Sequence, residues 1–152
     1  MLDTKPTQPI ADIQGLRVEF QTKDGPVIGV EDVSFSVGPG ETVCIVGESG
    51  SGKSVSSLSL MRLVEFGGGQ IAGGRLIFNR SDAKELDLAG TDQDLMRTIR
   101  GNEIGMIFQE PMTSLNPLHT LEKQLRETIQ LHQGLTGDAA RDRIVVLLTR
   151  VG

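Results

Sequence analysis

A glycine-rich stretch that ends in a lysine and a serine is the part of this sequence best suited to chemistry. It reads Gly47-Glu48-Ser49-Gly50-Ser51-Gly52-Lys53-Ser54 and fits the pattern G-x-x-x-x-G-K-S. Its glycines lack a Cβ and can adopt positive φ angles, so the backbone N–H groups can come very close to a bound anion. Lys53 adds a cation for the β- and γ-phosphate oxygens, and Ser54 adds a hydroxyl ligand for a phosphate-bound Mg²⁺. The stretch therefore predicts a site for a nucleoside triphosphate and Mg²⁺.

The segments on either side of this loop must position it. Val43-Cys44-Ile45-Val46 is a short apolar run with β-branched residues, which predicts a strand buried on both faces. Residues 55–64 are mostly apolar and predict a helix whose positive N-terminus points at the anion. A strand, a glycine-rich loop and a helix in this order favour nucleotide binding over a chance match in a surface loop.

Length and composition narrow the function further. The 152 residues suit one domain of ordinary size, and a net charge of −5 argues against a general nucleic-acid or anionic-membrane surface. The single cysteine, Cys44, is expected to be a small core residue of the predicted strand, with no disulfide framework. No apolar run approaches the roughly 20 residues of a membrane span, so membrane association is expected only through partners.

The N-terminal part of the sequence predicts an antiparallel β layer. Residues 1–14 are polar and are predicted to form a loose, disordered tail. Residues 16–20 alternate apolar and polar side chains, which predicts a half-buried strand. After a turn signal at Asp24-Gly25, residues 27–37 resume the strand pattern. This layer is expected to feed a parallel core.

Downstream, periodicity predicts two further strands, at residues 74–78 and 104–108. It also predicts three helices, at residues 92–100, 121–133 and 139–151. Thr91 is expected to cap the first of these helices. The apolar run at 104–108 ends at Gln109, which the sequence places at the edge of the core. The elements together indicate an α/β fold.

Two stretches of this chain resemble one known family. Val46 to Ser54 and the later Met106-Ile107-Phe108-Gln109-Glu110-Pro111-Met112-Thr113-Ser114-Leu115-Asn116-Pro117 resemble the ATP-binding subunits of ABC-type peptide importers. The second stretch is similar to the Q-loop of the dipeptide, oligopeptide, nickel and glutathione importers. Leu60-Met61-Arg62-Leu63 and Leu131-His132-Gln133 are most similar to the glutathione type. The resemblance runs from about Leu16 to the end of the chain.

The resemblance implies a P-loop NTPase core of the ABC ATPase type. Residues 15–109 would be the N-terminal part of the catalytic core, and residues 110–152 would be the Q-loop and part of a helical subdomain. The implied partners are transmembrane permease subunits, a second ATP-binding subunit and a periplasmic solute-binding protein. The implied location is the cytoplasmic face of the bacterial inner membrane, as a peripheral protein.

The resemblance also implies residue roles. Residues 47–54 would hold the phosphates, Lys53 and Gln109 would act in catalysis, and Ser54 and Gln109 would contact Mg²⁺. Phe20 is similar in placement to the aromatic residue that stacks on adenine in this family. From the residues alone, Phe20 could equally be a core residue of the first strand's apolar stripe.

The sequence also departs from the family pattern. It has no signature segment, no apolar strand ending in Asp-Glu (Walker B) and no switch histidine before Gly152. The expectation is a chain truncated before these parts, which alone binds ATP weakly, if at all, and hydrolyses it negligibly. The alternative is a truncated, non-transporting remnant that binds nucleotide weakly or not at all. A P-loop small-molecule kinase is disfavoured, because the Gln109 loop would have no role in one.

Overall fold

The computed structural model describes residues 8–81, 84–108 and 115–152, and the structural statements below refer to these residues. The chain divides into two compact units, Met1–Glu103 and Ile104–Gly152. The domain boundary predicted between residues 109 and 110 remains a prediction.

The first unit is an antiparallel sheet with short helices. Its strands and helices are β1 (Ala11–Thr22), β2 (Gly25–Val37), α1 (Lys53–Leu60), β3 (Gly69–Asn79), β4 (Glu85–Asp87) and α2 (Gln93–Ile99). Two short 3₁₀ turns, Leu63–Gly67 and Leu88–Gly90, follow α1 and β4. The strand order is β2-β1-β3-β4, and every pairing between neighbours is antiparallel. The predicted antiparallel layer is therefore present, with β1 at its centre between β2 and β3.

Local sequence explains the β1–β2 hairpin. Thr22 pairs with Gly25, so the two-residue turn is Lys23-Asp24, one residue before the predicted turn signal at Asp24-Gly25. β1 begins at Ala11, and Ile13 is 1% exposed. The predicted tail is therefore wrong at residues 11–14, because Ile13 continues the buried apolar alternation of β1; residues 1–7 lie outside the described part.

The core of the first unit lies between the sheet and the helical segments. Its largest fully buried apolar side chains come from β1, β3, the second 3₁₀ turn and α2: Ile13, Leu16, Val18, Leu76, Leu88, Met96 and Ile99. α1 packs against β2, and both 3₁₀ turns pack against β3. This packing fixes both ends of α1 relative to the sheet.

Two predicted buried strands are wrong. Residues 43–46 have no regular secondary structure, Val46 is 88% exposed, and Cys44 is an exposed free cysteine. Residues 105–108 likewise have no regular structure, and Ile107 is 95% exposed. A central strand is buried when other strands pair with both of its edges and helices cover both faces of the sheet. No described strand forms a ladder with either run, and Val46 and Ile107 are left largely exposed.

The cap of α2 also differs from the prediction. Asp92, not Thr91, is the N-cap, and its Oδ1 accepts the N–H of Leu95 at 2.9 Å. The Thr91 hydroxyl instead donates to the backbone carbonyl of Asp87 at 2.8 Å, and Thr91 is buried. Threonine and aspartate are both common N-cap residues. The path of the backbone into α2 places Asp92, the second of the two, at the N-cap position.

The second unit is a helical hairpin. It contains α3 (Leu121–Gln133) and α4 (Gly137–Val151), as periodicity predicted. Gly134 ends α3 with a φ of 66°, in the left-handed region that glycine favours. Ile129, Ala140 and Ile144 form a small core, flanked by half-buried leucines of both helices and the turn. None of the described helices is long and apolar enough to cross a lipid bilayer.

Candidate functional site

The glycine-rich loop is attached to the sheet through Gly52. This residue precedes α1 and has a φ of 87°. A Cβ on Gly52 would lie 2.9 Å from the carbonyl oxygen of Gly29 and 3.0 Å from Cγ2 of Val30, both in β2. Gly52 is therefore constrained by both its backbone angle and the closeness of β2. The loop is held at this end by β2, since the segment before it forms no strand.

The N-terminus of α1 offers backbone donors without a side-chain cap. The first N–H within the helix's hydrogen-bond pattern is that of Ser56, which donates to the Gly52 carbonyl at 2.8 Å. No side-chain cap is present at this end of α1, whereas Asp92 caps α2 and Thr120 caps α3. The N–H groups of the first α1 residues consequently remain available to an anion, which the helix dipole also favours.

These donors face a small pocket. It has a volume of about 180 Å³ and is lined by Gly29 of β2 and by residues 50–55 of the loop and α1. Gly50, with a φ of 81°, lies on its wall together with Gly52. The pocket has the features of an anion site: glycines with positive φ angles, a helix N-terminus and a lysine.

Lys53 folds back over the loop. Its Nζ donates to the carbonyl oxygens of Gly47 at 2.7 Å and Glu48 at 2.5 Å, and to Ser51 Oγ at 3.2 Å. Gly47 is close to this cluster as well, because a Cβ there would lie 2.6 Å from Ser51 Oγ. The ammonium group thus bonds to neutral oxygens of the loop, and no carboxylate within the described residues forms an ion pair with it. A phosphate oxygen could replace these neutral acceptors.

Ser54 is the second residue of α1 and is exposed, as are Glu48 and Ser49 of the loop. The described residues contain no cluster of three or more His, Cys, Asp or Glu side chains able to hold a metal alone. A hydroxyl oxygen at Ser54 fits a Mg²⁺ that keeps most of its ligands from phosphates and water. The donor set is therefore compatible with Mg²⁺ bound together with a nucleotide.

Phe20 lies across two glycines of neighbouring strands. A Cβ on Gly29 would lie 2.6 Å from Phe20 Cε2, and one on Gly69 would lie 2.9 Å from Cε1. The half-buried ring thus packs on the backbone of β2 and β3. This contact accounts for Phe20 as a packing residue, and its stacking on adenine stays a prediction.

Gly29 is a site residue that sequence reasoning missed. The Phe20 ring packs against Gly29, and the Gly29 carbonyl oxygen lies close to Gly52. Gly29 also lines the pocket. The only signal available in the sequence is a glycine inside a predicted strand, which often marks a close backbone approach. Which groups approach it depends on strand register, and the sequence does not state the register.

Gln109, the predicted Q-loop glutamine, lies outside the described residues together with residues 110–114. Its predicted contacts with Mg²⁺ and water are therefore predictions that the geometry does not address. The structure brings together Gly47, Ser51, Gly52 and Lys53, and it places Ser54 at the same helix end.

Known proteins similar to this chain are named as ATP-binding proteins of import or transport systems. A protein of Brucella ovis named as a peptide import ATP-binding protein is 51% identical over 145 residues, which are 95% of this chain and 43% of that protein. A glutathione import ATP-binding protein of Pectobacterium atrosepticum is 48% identical, over 96% of this chain and 23% of that protein. A peptidoglycan transport ATP-binding protein of Agrobacterium fabrum is 44% identical, over 96% of this chain and 26% of that protein. The chain thus spans less than half the length of each of these relatives.

A solved structure shares the fold. A bacterial ABC transporter cassette, solved as a dimer, superposes with a TM-score of 0.72 at 22% identity, covering 91% of this chain and 56% of that one. This likeness confirms the predicted α/β class with its antiparallel layer. Residues 30–152 match the family model described as ABC transporter, and they include the whole glycine-rich loop. The chain therefore belongs to the ABC transporter family of ATP-binding proteins.

Proposed function

We propose that this chain is the nucleotide-binding part of an energy-coupling subunit in an ABC importer of peptides or similar small solutes. The observation that carries the proposal is the uncapped N-terminus of α1, with Lys53 above it and a glycine-lined pocket in front of it. The import functions named for the relatives support the solute class.

The proposed binding mode follows from the donors. The N–H groups at the start of α1 bind phosphate oxygens, and Lys53 exchanges the carbonyl oxygens of Gly47 and Glu48 for them. Ser54, with Gln109, holds the Mg²⁺. The metal neutralises phosphate charge when it is bound. In this proposal Phe20, near the C-terminal end of β1, stacks on adenine.

The proposed setting is a complete transporter. Permease subunits, a second ATP-binding subunit and a periplasmic solute-binding protein are the proposed partners. The chain is proposed to lie on the cytoplasmic face of the inner membrane, attached through the permease. Hydrolysis is proposed to need groups other than those that line the described pocket, which supplies donors for phosphates and places no carboxylate against them. The chain alone is expected to bind Mg-ATP weakly and to turn it over negligibly.

Calorimetric titration with Mg-ATP tests the binding proposal. Lys53→Ala removes the mobile cation and should weaken binding by about tenfold or more, in line with a charge-assisted hydrogen bond of roughly 1.5–3 kcal/mol. Lys23→Ala, in the exposed β1–β2 turn, removes the same charge and should leave the affinity unchanged. Equal ATP affinity in wild type and Lys53→Ala would exclude this loop as the nucleotide site.

A further inference from the structure

A second pocket lies in the first unit, at the opposite end of α1 from Lys53. It has a volume of about 390 Å³ and is lined by Glu65, Phe66, Gln93, Arg97 and Arg100. Phe66 belongs to the 3₁₀ turn after α1 and is 75% exposed, an unusual position for a phenylalanine beside a cavity.

Arg100 is fixed in this pocket by neutral groups. Its guanidinium carbon lies 5.5 Å from the centre of the Phe66 ring, a cation–π distance. Its Nε donates to the carbonyl of Met61 at 2.7 Å, and its terminal nitrogens reach Gln93 Oε1 at 3.4 Å. Among the described residues no carboxylate forms an ion pair with Arg100. Its orientation is set, and its charge is left for another group.

The nearby carboxylates are already engaged. Glu65 Oε1 pairs with Arg62 Nε at 2.7 Å, and Glu65 Oε2 accepts from Gln93 Nε2 at 2.8 Å. Arg97, on the rim, pairs with the exposed Asp94 at 3.2 Å. Burial and the positive charges of Arg62 and Arg97 lower the pKa of Arg100, while Glu65 acts in the opposite direction. The pocket thus has an excess of positive charge in a protein whose net charge is −5.

We propose that this pocket docks an acidic side chain of a protein partner, with the neighbouring apolar side chain of that partner on Phe66. Arginine and exposed aromatic residues around a pocket are typical anchors of protein interfaces. A carboxylate would match the fork of Arg97 and Arg100. A phosphate fits less well, because its charge is larger than that of a carboxylate and Glu65 in the lining repels it more strongly. The Asp92 side chain also occupies the N-terminus of α2. The inference goes beyond the proposed function and does not require nucleotide binding.

Two blocked tetrapeptides test the proposal by NMR titration of the 152-residue chain. The acidic probe is acetyl-Ala-Glu-Leu-Ala-amide, and the neutral probe has Gln in place of Glu. The acidic probe should bind about fivefold more tightly, the scale expected for a partly exposed ion pair, and should shift the Phe66 ring and Arg97 Nε–H signals. Arg97→Gln should remove this preference, because it deletes one of the two positive charges that would bind the carboxylate. Arg97 is chosen over Arg100 because Arg100 also bonds to the Met61 carbonyl at the end of α1.

Matched variants make the outcome decisive. Arg141→Gln, an exposed arginine of α4, and Lys53→Ala at the nucleotide loop should both leave the preference intact, so this test and that of the proposed function can fail separately. Phe66→Ala should weaken both peptides about threefold without changing their ratio. Equal binding of the two peptides, retention of the preference in Arg97→Gln, or stronger shifts of the same signals by inorganic phosphate would overturn the proposal.

Discussion

Gly52 illustrates how a single residue in the loop serves two physical requirements. Its φ of 87° lies in the left-handed region, which costs an ordinary residue about 1–2 kcal/mol. A Cβ added to Gly52 would lie 2.9 Å from the Gly29 carbonyl oxygen, so there is no room for a methyl group. Flexible lysine tips and serine hydroxyls can adjust, but a backbone carbonyl within a sheet cannot. The loop is therefore positioned by steric fit to β2 as much as by its own turns.

Gly52→Ala should reduce the free energy of unfolding by about 2–4 kcal/mol, since strain and overlap add. Gly40→Ala is the matched control, because Gly40 has a φ of 70° but nothing within 4 Å of an added Cβ. Gly40→Ala should lower the free energy of unfolding only by the cost of the left-handed backbone conformation, about 1–2 kcal/mol. Urea unfolding of both variants measures the difference. Equal losses in the two variants would mean that the contact with Gly29 does not restrict this position.

The sequence predicts the functional residues that belong to a motif. It does not predict residues that come into contact only because the chain folds. Lys53 and Ser54 follow from type and spacing alone. The double contact of Gly29, with Phe20 and with Gly52, depends on the irregular β1–β2 register, which shifts between Val18 and Glu19. Arg100 is similar, because its bond to the Met61 carbonyl joins residues 39 positions apart.

Among the elements, the central part of the sheet depends on a bulge shared by three strands. Gly15 of β1 has a φ of 58°, and its N–H donates to Ser34 Oγ of β2 at 2.8 Å. Opposite it, an added Cβ on Gly74 of β3 would lie 2.4 Å from the Gly15 carbonyl oxygen. The strands can stay in register on both sides of the bulge only if β3 has no side chain at that point.

Gly74→Ala should therefore be severely destabilising, by about 3 kcal/mol or more, because the overlap is between two backbones and the φ of 87° is also strained. The adjacent Gly73→Ala is the control. Its added Cβ would lie 3.6 Å from Arg17 Cβ, an ordinary contact, so the change should stay within about 1 kcal/mol. Thermal unfolding followed by circular dichroism compares them. A Gly74→Ala protein as stable as Gly73→Ala would contradict this account of the bulge.

Element prediction succeeded where the periodicity was local. The alternation in β1 and β2 and the 3.6-residue repeat of α3 and α4 contain their own burial pattern. It failed for residues 43–46 and 104–108, because an unbroken apolar run predicts burial without identifying a partner. A strand of that kind acquires its environment from segments distant in the sequence.

For the whole molecule, large exposed apolar side chains occur both in those two runs and elsewhere. Val46, Ile107, Leu118 and Val151 are each more than 80% exposed, and they occur in both units. Large exposed apolar side chains favour association with other surfaces. A net charge of −5 opposes self-association by repulsion, an effect that salt screens. The balance predicts that association of this chain strengthens as ionic strength rises.

Sedimentation velocity on the 152-residue chain tests this prediction. The weight-average mass should rise with protein concentration, and more so in 0.5 M than in 0.05 M NaCl, where the Debye length is roughly 4 Å against 14 Å. The double variant Val46→Lys, Ile107→Lys should shift association to at least about threefold higher concentration. The pair Gln70→Lys, Gln130→Lys adds the same charge at exposed polar positions and should not weaken association, because it lowers the net negative charge and removes no apolar surface. If both double variants behaved alike, charge rather than the two apolar runs would control association.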